Sequence, residues 1–156
     1  MSTETLKDLL IGFGFVLVEV LIFKHLSFFS ISADPLLIFL LWLTIKYDRT
    51  KLILITALLA FFQDALFDYW GLNMFAKTLM IFLIYNFISR WKESRLLIWQ
   101  IFLVVFLASV IHNIIFIGLA SFIDAYSTGM IPVFFVLGNS LYTALLGCML
   151  FIFKGN

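Results

Sequence analysis

The stretch Phe61-Phe62-Gln63-Asp64-Ala65-Leu66-Phe67-Asp68-Tyr69-Trp70-Gly71-Leu72-Asn73-Met74-Phe75-Ala76-Lys77 decides how this chain is read. It sets two carboxylates, two amides and one amine between long apolar runs. A charge at the centre of a bilayer costs about 2.5–3.5 kcal/mol even on the milder insertion scales. Groups of this kind need compensation, and what compensates them is expected to bear on function.

The surrounding composition makes lipid the expected solvent. Of 156 residues, 64% are hydrophobic and 12% charged, with a mean hydropathy of +1.16. A soluble domain is about 45–50% apolar and about 25% charged, so too little polar surface exists here to coat a soluble globule. The net charge of +1 creates no general field for nucleic acid. Cys148 is the single cysteine, so no internal disulfide is possible, and its apolar surroundings mark it as a small core residue. The first apolar run follows Met1-Ser2-Thr3-Glu4-Thr5-Leu6-Lys7-Asp8 and lacks an A-x-A-like end, which predicts a retained span and not a cleaved signal peptide.

About twenty apolar residues cross a bilayer. By that measure the sequence predicts an all-α bundle of six transmembrane helices in a single domain, over residues 8–29, 34–47, 51–69, 73–89, 96–123 and 130–153. Asp34-Pro35 supplies a cap and a first-turn proline for the second helix. The fifth is long enough to tilt, or to break near Gly118. The apolar runs are too long and too continuous for strands of a membrane barrel.

Basic residues orient the bundle. With six spans, one side receives Lys7, Lys46, Arg49, Lys51, Arg90, Lys92, Arg95 and Lys154, which are 8 of the 10 Lys and Arg. The other side has Lys24 alone, with Lys77 just inside the fourth helix. Both termini are therefore expected in the cytoplasm. Tyr69, Trp70 and Tyr126 fall at the outer boundary and Tyr47, Trp91 and Trp99 at the inner one, as interfacial belts require. The basic loops 46–51 and 90–95 are read as topology determinants.

At about 1.5 Å per residue, Asp64 lies about 9 Å below Trp70, and Lys77 about 6 Å below Asn73 on the neighbouring helix. Asp68 at a helix C-terminus and Lys77 near an N-terminus are each badly placed against the helix dipole. The expectation is that Lys77 bridges Asp64, Asp68 or both and staples the hairpin. Glu19, Gln63, His112, Asn113, Asn139, Ser140, Tyr142 and Thr143 fall at related depths. Such residues face a bundle interior and pair, so they are read with Gly71 and Asn73 as a polar core, an outward-opening cavity or a partner-docking face. Enzyme chemistry is not expected. Asp64 and Asp68 share one helix face and do not oppose each other across two helices. No nucleophile motif surrounds Ser109 or Ser140 near His112. No metal cluster, phosphate loop or cofactor motif is present.

Six short-looped helices, an Asp-Pro opening the second, and Gln63-Asp64, Asp68, Gly71-Leu72-Asn73 and Ala76 across the 3–4 hairpin resemble the MreD family of rod shape-determining membrane proteins. That family's hairpin places Gly-Leu ahead of an Asp, then a short variable stretch, then a Gly and an Ala. Asp64, Gly71 and Ala76 carry the matching positions, while Ala60-Phe61 stands where Gly-Leu is usual and Trp70 precedes Gly71. The resemblance implies a non-catalytic scaffold of the bacterial cell-elongation (rod) complex in the inner membrane. Its implied partners are MreC, the MreB filament, and RodA with its class B penicillin-binding protein, linking peptidoglycan synthesis to cell shape. A second resemblance is to the substrate-binding S components of energy-coupling-factor vitamin transporters, also six-helix membrane proteins of this size. Their first helix usually carries an Ala-x-x-x-Ala-type surface. Here it reads Ile11-Gly12-Phe13-Gly14-Phe15-Val16-Leu17-Val18-Glu19-Val20, which lacks it and counts against transport.

Overall fold

The structure is a computed structural model, which describes residues 3–23, 31–91, 97–123 and 132–154. Among the described residues all regular structure is helical: α1 (Thr3–Val18), α2 (Pro35–Lys46), α3 (Arg49–Phe67), α4 (Leu72–Ile88), α5 (Ile98–Ile123) and α6 (Pro132–Lys154). Three of them, α3, α5 and α6, are long and apolar enough to cross a membrane. This is the signature of a membrane protein. Large apolar side chains stand exposed along most helices, among them Leu10, Leu21, Leu54, Leu83, Ile114 and Phe134.

The helix limits follow local chemistry. Asp34 Oδ1 accepts from the Leu37 amide at 2.8 Å, and Pro35 fills the first helical position, as the Asp-Pro pair predicts. α5 runs unbroken through Gly118, whose missing side chain faces open space. α1 differs more from expectation. It starts at Thr3 and continues past Val18 as a π-helical turn over Glu19–Phe23, so the widened turn begins at the buried acid. The rest of the 8–29 span, with Lys24, lies outside the described residues, as do most of the 90–95 loop and the 124–129 loop with Tyr126.

α2 is the hub. It touches α1, α3, α4, α5 and α6, and Leu36, Leu37, Ile38, Phe39, Leu40, Leu41 and Leu43 are all buried. A helix apolar all round belongs in a core. Gly12 of α1 lets this packing close: a Cβ there would meet Leu59 Cδ1 at 2.5 Å and Phe39 Cε1 at 2.9 Å. α2 is reached through a non-helical strap, residues 31–34, and Gly138 of α6 leaves room for the Ile31 side chain. At the far end of α2, Asp8 accepts from the Tyr47 hydroxyl at 2.5 Å and pairs with Lys46 at 2.7 Å. Tyr85 donates to the Tyr47 carbonyl, and Arg49 lies over Phe82 and donates to its carbonyl. The 46–51 segment is thus tied into the bundle by these contacts.

The α3–α4 turn is tight and unusual in its backbone. Asp68 (φ 60°), Trp70 (φ 51°) and Gly71 (φ 89°) all occupy the left-handed region. Glycine enters that region freely, whereas L side chains meet the carbonyl there, at about 1–2 kcal/mol per residue, with Asp among the more tolerant. Gly71→Ala should therefore lower stability by about 1–2 kcal/mol although nothing lies within 4 Å of the added methyl. Asp68→Gly should change it by less than about 1 kcal/mol. Thermal unfolding in detergent, read as the surviving monodisperse fraction, measures both.

Candidate functional site

The buried polar groups converge at the end of the bundle that holds the α3–α4 turn, though not in the pairs the sequence suggests. Lys77, 0% exposed, reaches across to Asp34 at the head of α2 and forms a hydrogen-bonded ion pair with Oδ2. The expected Lys77 bridge to Asp64 or Asp68 does not form. Asp64 instead accepts from the Asn73 amide at 3.1 Å through Oδ1 and from the Met74 amide at 2.8 Å through Oδ2. The reason is positional. The last turn of α3 brings Asp64 beside the first turn of α4, where free N–H groups and the positive helix end attract a carboxylate. Asp68, one turn further on, is the exposed left-handed cap of α3. Lys77, deeper in α4, finds the α2 cap at its own level.

α6 serves the strap. Ser32 N donates to Asn139 Oδ1 at 2.9 Å, and Asp34 N donates to Thr143 Oγ1 at 3.1 Å. Asn139 and Thr143 are one helical turn apart, so together they satisfy backbone donors that the non-helical strap would otherwise bury unpaired. Asn113 of α5 donates to Ser109 at 3.3 Å and to Ser140 of α6 at 3.2 Å. Both serines thus meet Asn113, and neither forms a hydrogen bond with His112.

A cavity of about 100 Å³ lies where these groups meet. Glu19, Asp34, Gln63, His112, Asn113 and Asn139 supply its polar wall, with Asn73 at the margin, and aromatic rings from α3, α5 and α6 close the rest. Gln63 Nε2 donates to Glu19 Oε1 at 2.5 Å and ties the π-helical turn to α3. Glu19 also lies beside Asp34 and the Leu36 amide at the head of α2. Its Oε2, together with Gln63 Oε1 and both ring nitrogens of His112, has no hydrogen-bond partner. A second recess, of about 290 Å³, lies between α1, α2 and α6 and is apolar, lined by Phe15, Phe39, Trp42 and Phe151 among others.

Of the residues singled out by sequence, Glu19, Gln63, Asn73, His112, Asn113, Asn139 and Thr143 line this cavity. Asp64 and Lys77 are buried around it, and Asp68 and Gly71 belong to the turn above. Sequence alone does not single out Asp34 as Lys77's partner, nor Phe67, Phe116 and Phe135 as cavity walls. With 20 Phe in the chain, no spacing marks those three. Among the described residues no group of three His, Cys, Asp or Glu is placed to hold a metal ion. No protein-family model, no characterised protein and no solved structure matches this chain, so its function is argued from the site.

Proposed function

We propose that the chain is a multi-pass scaffold of the bacterial inner membrane, of MreD type, that works by binding and not by chemistry. The observation that carries this reading is how Asp34 and Asp64 are used. Asp34 is spent on capping α2 and holding Lys77, and Asp64 on the first amides of α4. Charges so engaged brace helices against one another. They are not poised to exchange protons with a substrate, since a catalytic carboxylate needs a free oxygen within reach of the reacting group.

Six crossings fit the dimensions once the strap is counted. α2 has 12 residues, about 18 Å at the usual rise. The four strap residues 31–34 reach at most about 13 Å, and with them the segment comes up to a hydrocarbon core of about 30 Å. An even number of crossings and the one-sided distribution of Lys and Arg then favour cytoplasmic termini. The cavity would face the periplasmic half.

On this reading the chain holds MreC in the membrane and couples the MreB filament to RodA and its class B penicillin-binding protein during wall synthesis. The rival, a vitamin-binding S component, needs a polar pocket of about 300–1,000 Å³. The polar cavity here is about 100 Å³ and the larger recess is apolar. Affinity purification of the tagged chain in mild detergent should recover MreC in near-stoichiometric amount, and depletion should turn rods into spheres. Recovery of transport ATPases with a bound vitamin would overturn the proposal.

A further inference from the structure

Three side chains that line the cavity carry polar atoms without a hydrogen-bond partner while almost wholly withdrawn from solvent. Glu19 is 8% exposed, Gln63 1% and His112 5%. Leaving such groups unsatisfied is costly. The atoms are Glu19 Oε2, Gln63 Oε1 and the His112 nitrogens, and all three residues line the same small space. Their polarity is one-sided. One of the two Gln63 amide N–H groups is given to Glu19, and its carbonyl oxygen is left without a partner. A carboxylate offers acceptors alone, and a neutral imidazole offers one acceptor and one donor. The cavity therefore asks for a guest rich in N–H or O–H donors.

Charge narrows the guest further. Among the described residues around the cavity, Glu19 and Asp34 are the acids and Lys77 the base, and Lys77 is committed to Asp34. Asp64 faces the α4 amides. Among the described residues Glu19 forms no ion pair of its own, since the nearby Lys77 is bound to Asp34, and an acid so placed in an apolar bundle favours a guest that brings a positive charge. The space is equivalent to about three waters at liquid density, and Phe67, Phe116 and Phe135 surround it. Ring faces attract cations within about 6 Å. Water would satisfy the hydrogen bonds but not the charge.

We infer that this cavity is a receptor for one small ammonium-type cation, ammonium or a short primary amine, held by Glu19, Gln63 and His112. The N–H groups of the guest donate to Glu19 Oε2, Gln63 Oε1 and an imidazole nitrogen, and its charge is balanced by Glu19. The inference does not depend on the scaffold reading, because it concerns groups that the bracing leaves unused.

The test is thermal unfolding of the full chain in detergent, titrated with methylammonium chloride against sodium chloride at equal ionic strength, with calorimetric titration alongside. A saturable stabilisation by methylammonium and not by sodium is expected. Glu19→Gln, which keeps the shape and removes the charge, should weaken it at least tenfold. Should Glu19→Gln fail to fold, His112→Leu is the second variant, and its calorimetric methylammonium affinity, read against its own sodium baseline, should also be weaker. Equal responses to the two salts, or undiminished methylammonium binding in whichever variant folds, would overturn the inference and leave the cavity to water or to a proton on Glu19.

Discussion

Lys77→Met should remove most of the folded protein from detergent extracts, and adding Asp34→Asn should restore most of it. Lys77 is fully buried against Asp34. Deleting one member of a buried ion pair leaves the other charge uncompensated, at about 3–5 kcal/mol, whereas replacing both with neutral groups is often close to neutral. The Asp34→Asn side chain keeps an oxygen for the Leu37 amide, so the cap of α2 survives in the double variant. The cycle closes with Asp64→Asn/Lys77→Met, which should show no comparable rescue, because Asp64 is held by backbone amides. The measurement is the unfolding temperature and folded yield of the single and double variants, from which the coupling energy follows. Rescue through position 64 and not through position 34 would reassign the partner of Lys77.

Asp64→Leu should be the second severe change, and its harm should appear at the head of α4. Both carboxylate oxygens accept from that first turn, and hydrogen bonds to a charged group contribute about 1.5–3 kcal/mol each. A loss of about 3 kcal/mol or more is expected for leucine by that figure. Asp64→Asn keeps one acceptor but sets an NH2 group against the second amide, so it should lose roughly half as much. Hydrogen exchange at Asn73 and Met74 localises the effect, since these amides should lose protection well before those in the middle of α4. Equal, small losses for both variants, with no change at those two amides, would mean that the capping contributes little.

Most of the helix plan is legible in the sequence, because apolar run length and cap chemistry are local. Asp34-Pro35 marks the start of α2, and Tyr69-Trp70-Gly71 the break between α3 and α4. The partner of Lys77 is not legible in the same way. Depth counted from each loop assumes that every span is helical from boundary to boundary, which makes Asp34 a surface cap. α2 is too short for that, and its length is the signal that lowers Asp34 to the level of Lys77. The π-helical turn at Glu19 leaves no trace in hydropathy, since it changes the hydrogen-bond spacing and not the apolar pattern. Gly118 in α5 shows the converse. A glycine costs about 1 kcal/mol in a helix, too little to break a long apolar helix packed along α6. The polar cavity is foreshadowed by Glu19, Gln63, His112 and Asn139, whereas its aromatic wall is hidden by the abundance of phenylalanine.

The strap has a consequence for biosynthesis. The backbone amides of Ser32 and Asp34 find their acceptors on α6, 107 and 109 positions later in the chain. At translation rates of about 5–20 residues per second, the two halves of those bonds emerge roughly 5–20 s apart. During that interval the head of α2 cannot take its final seat without leaving amides unpaired in an apolar interior. α2 therefore takes its final seat only once α6 has been made. Assembly of this bundle is closed from its C-terminus, and a ribosome that stalls before residue 139 leaves a core that has its leucines in place but no latch.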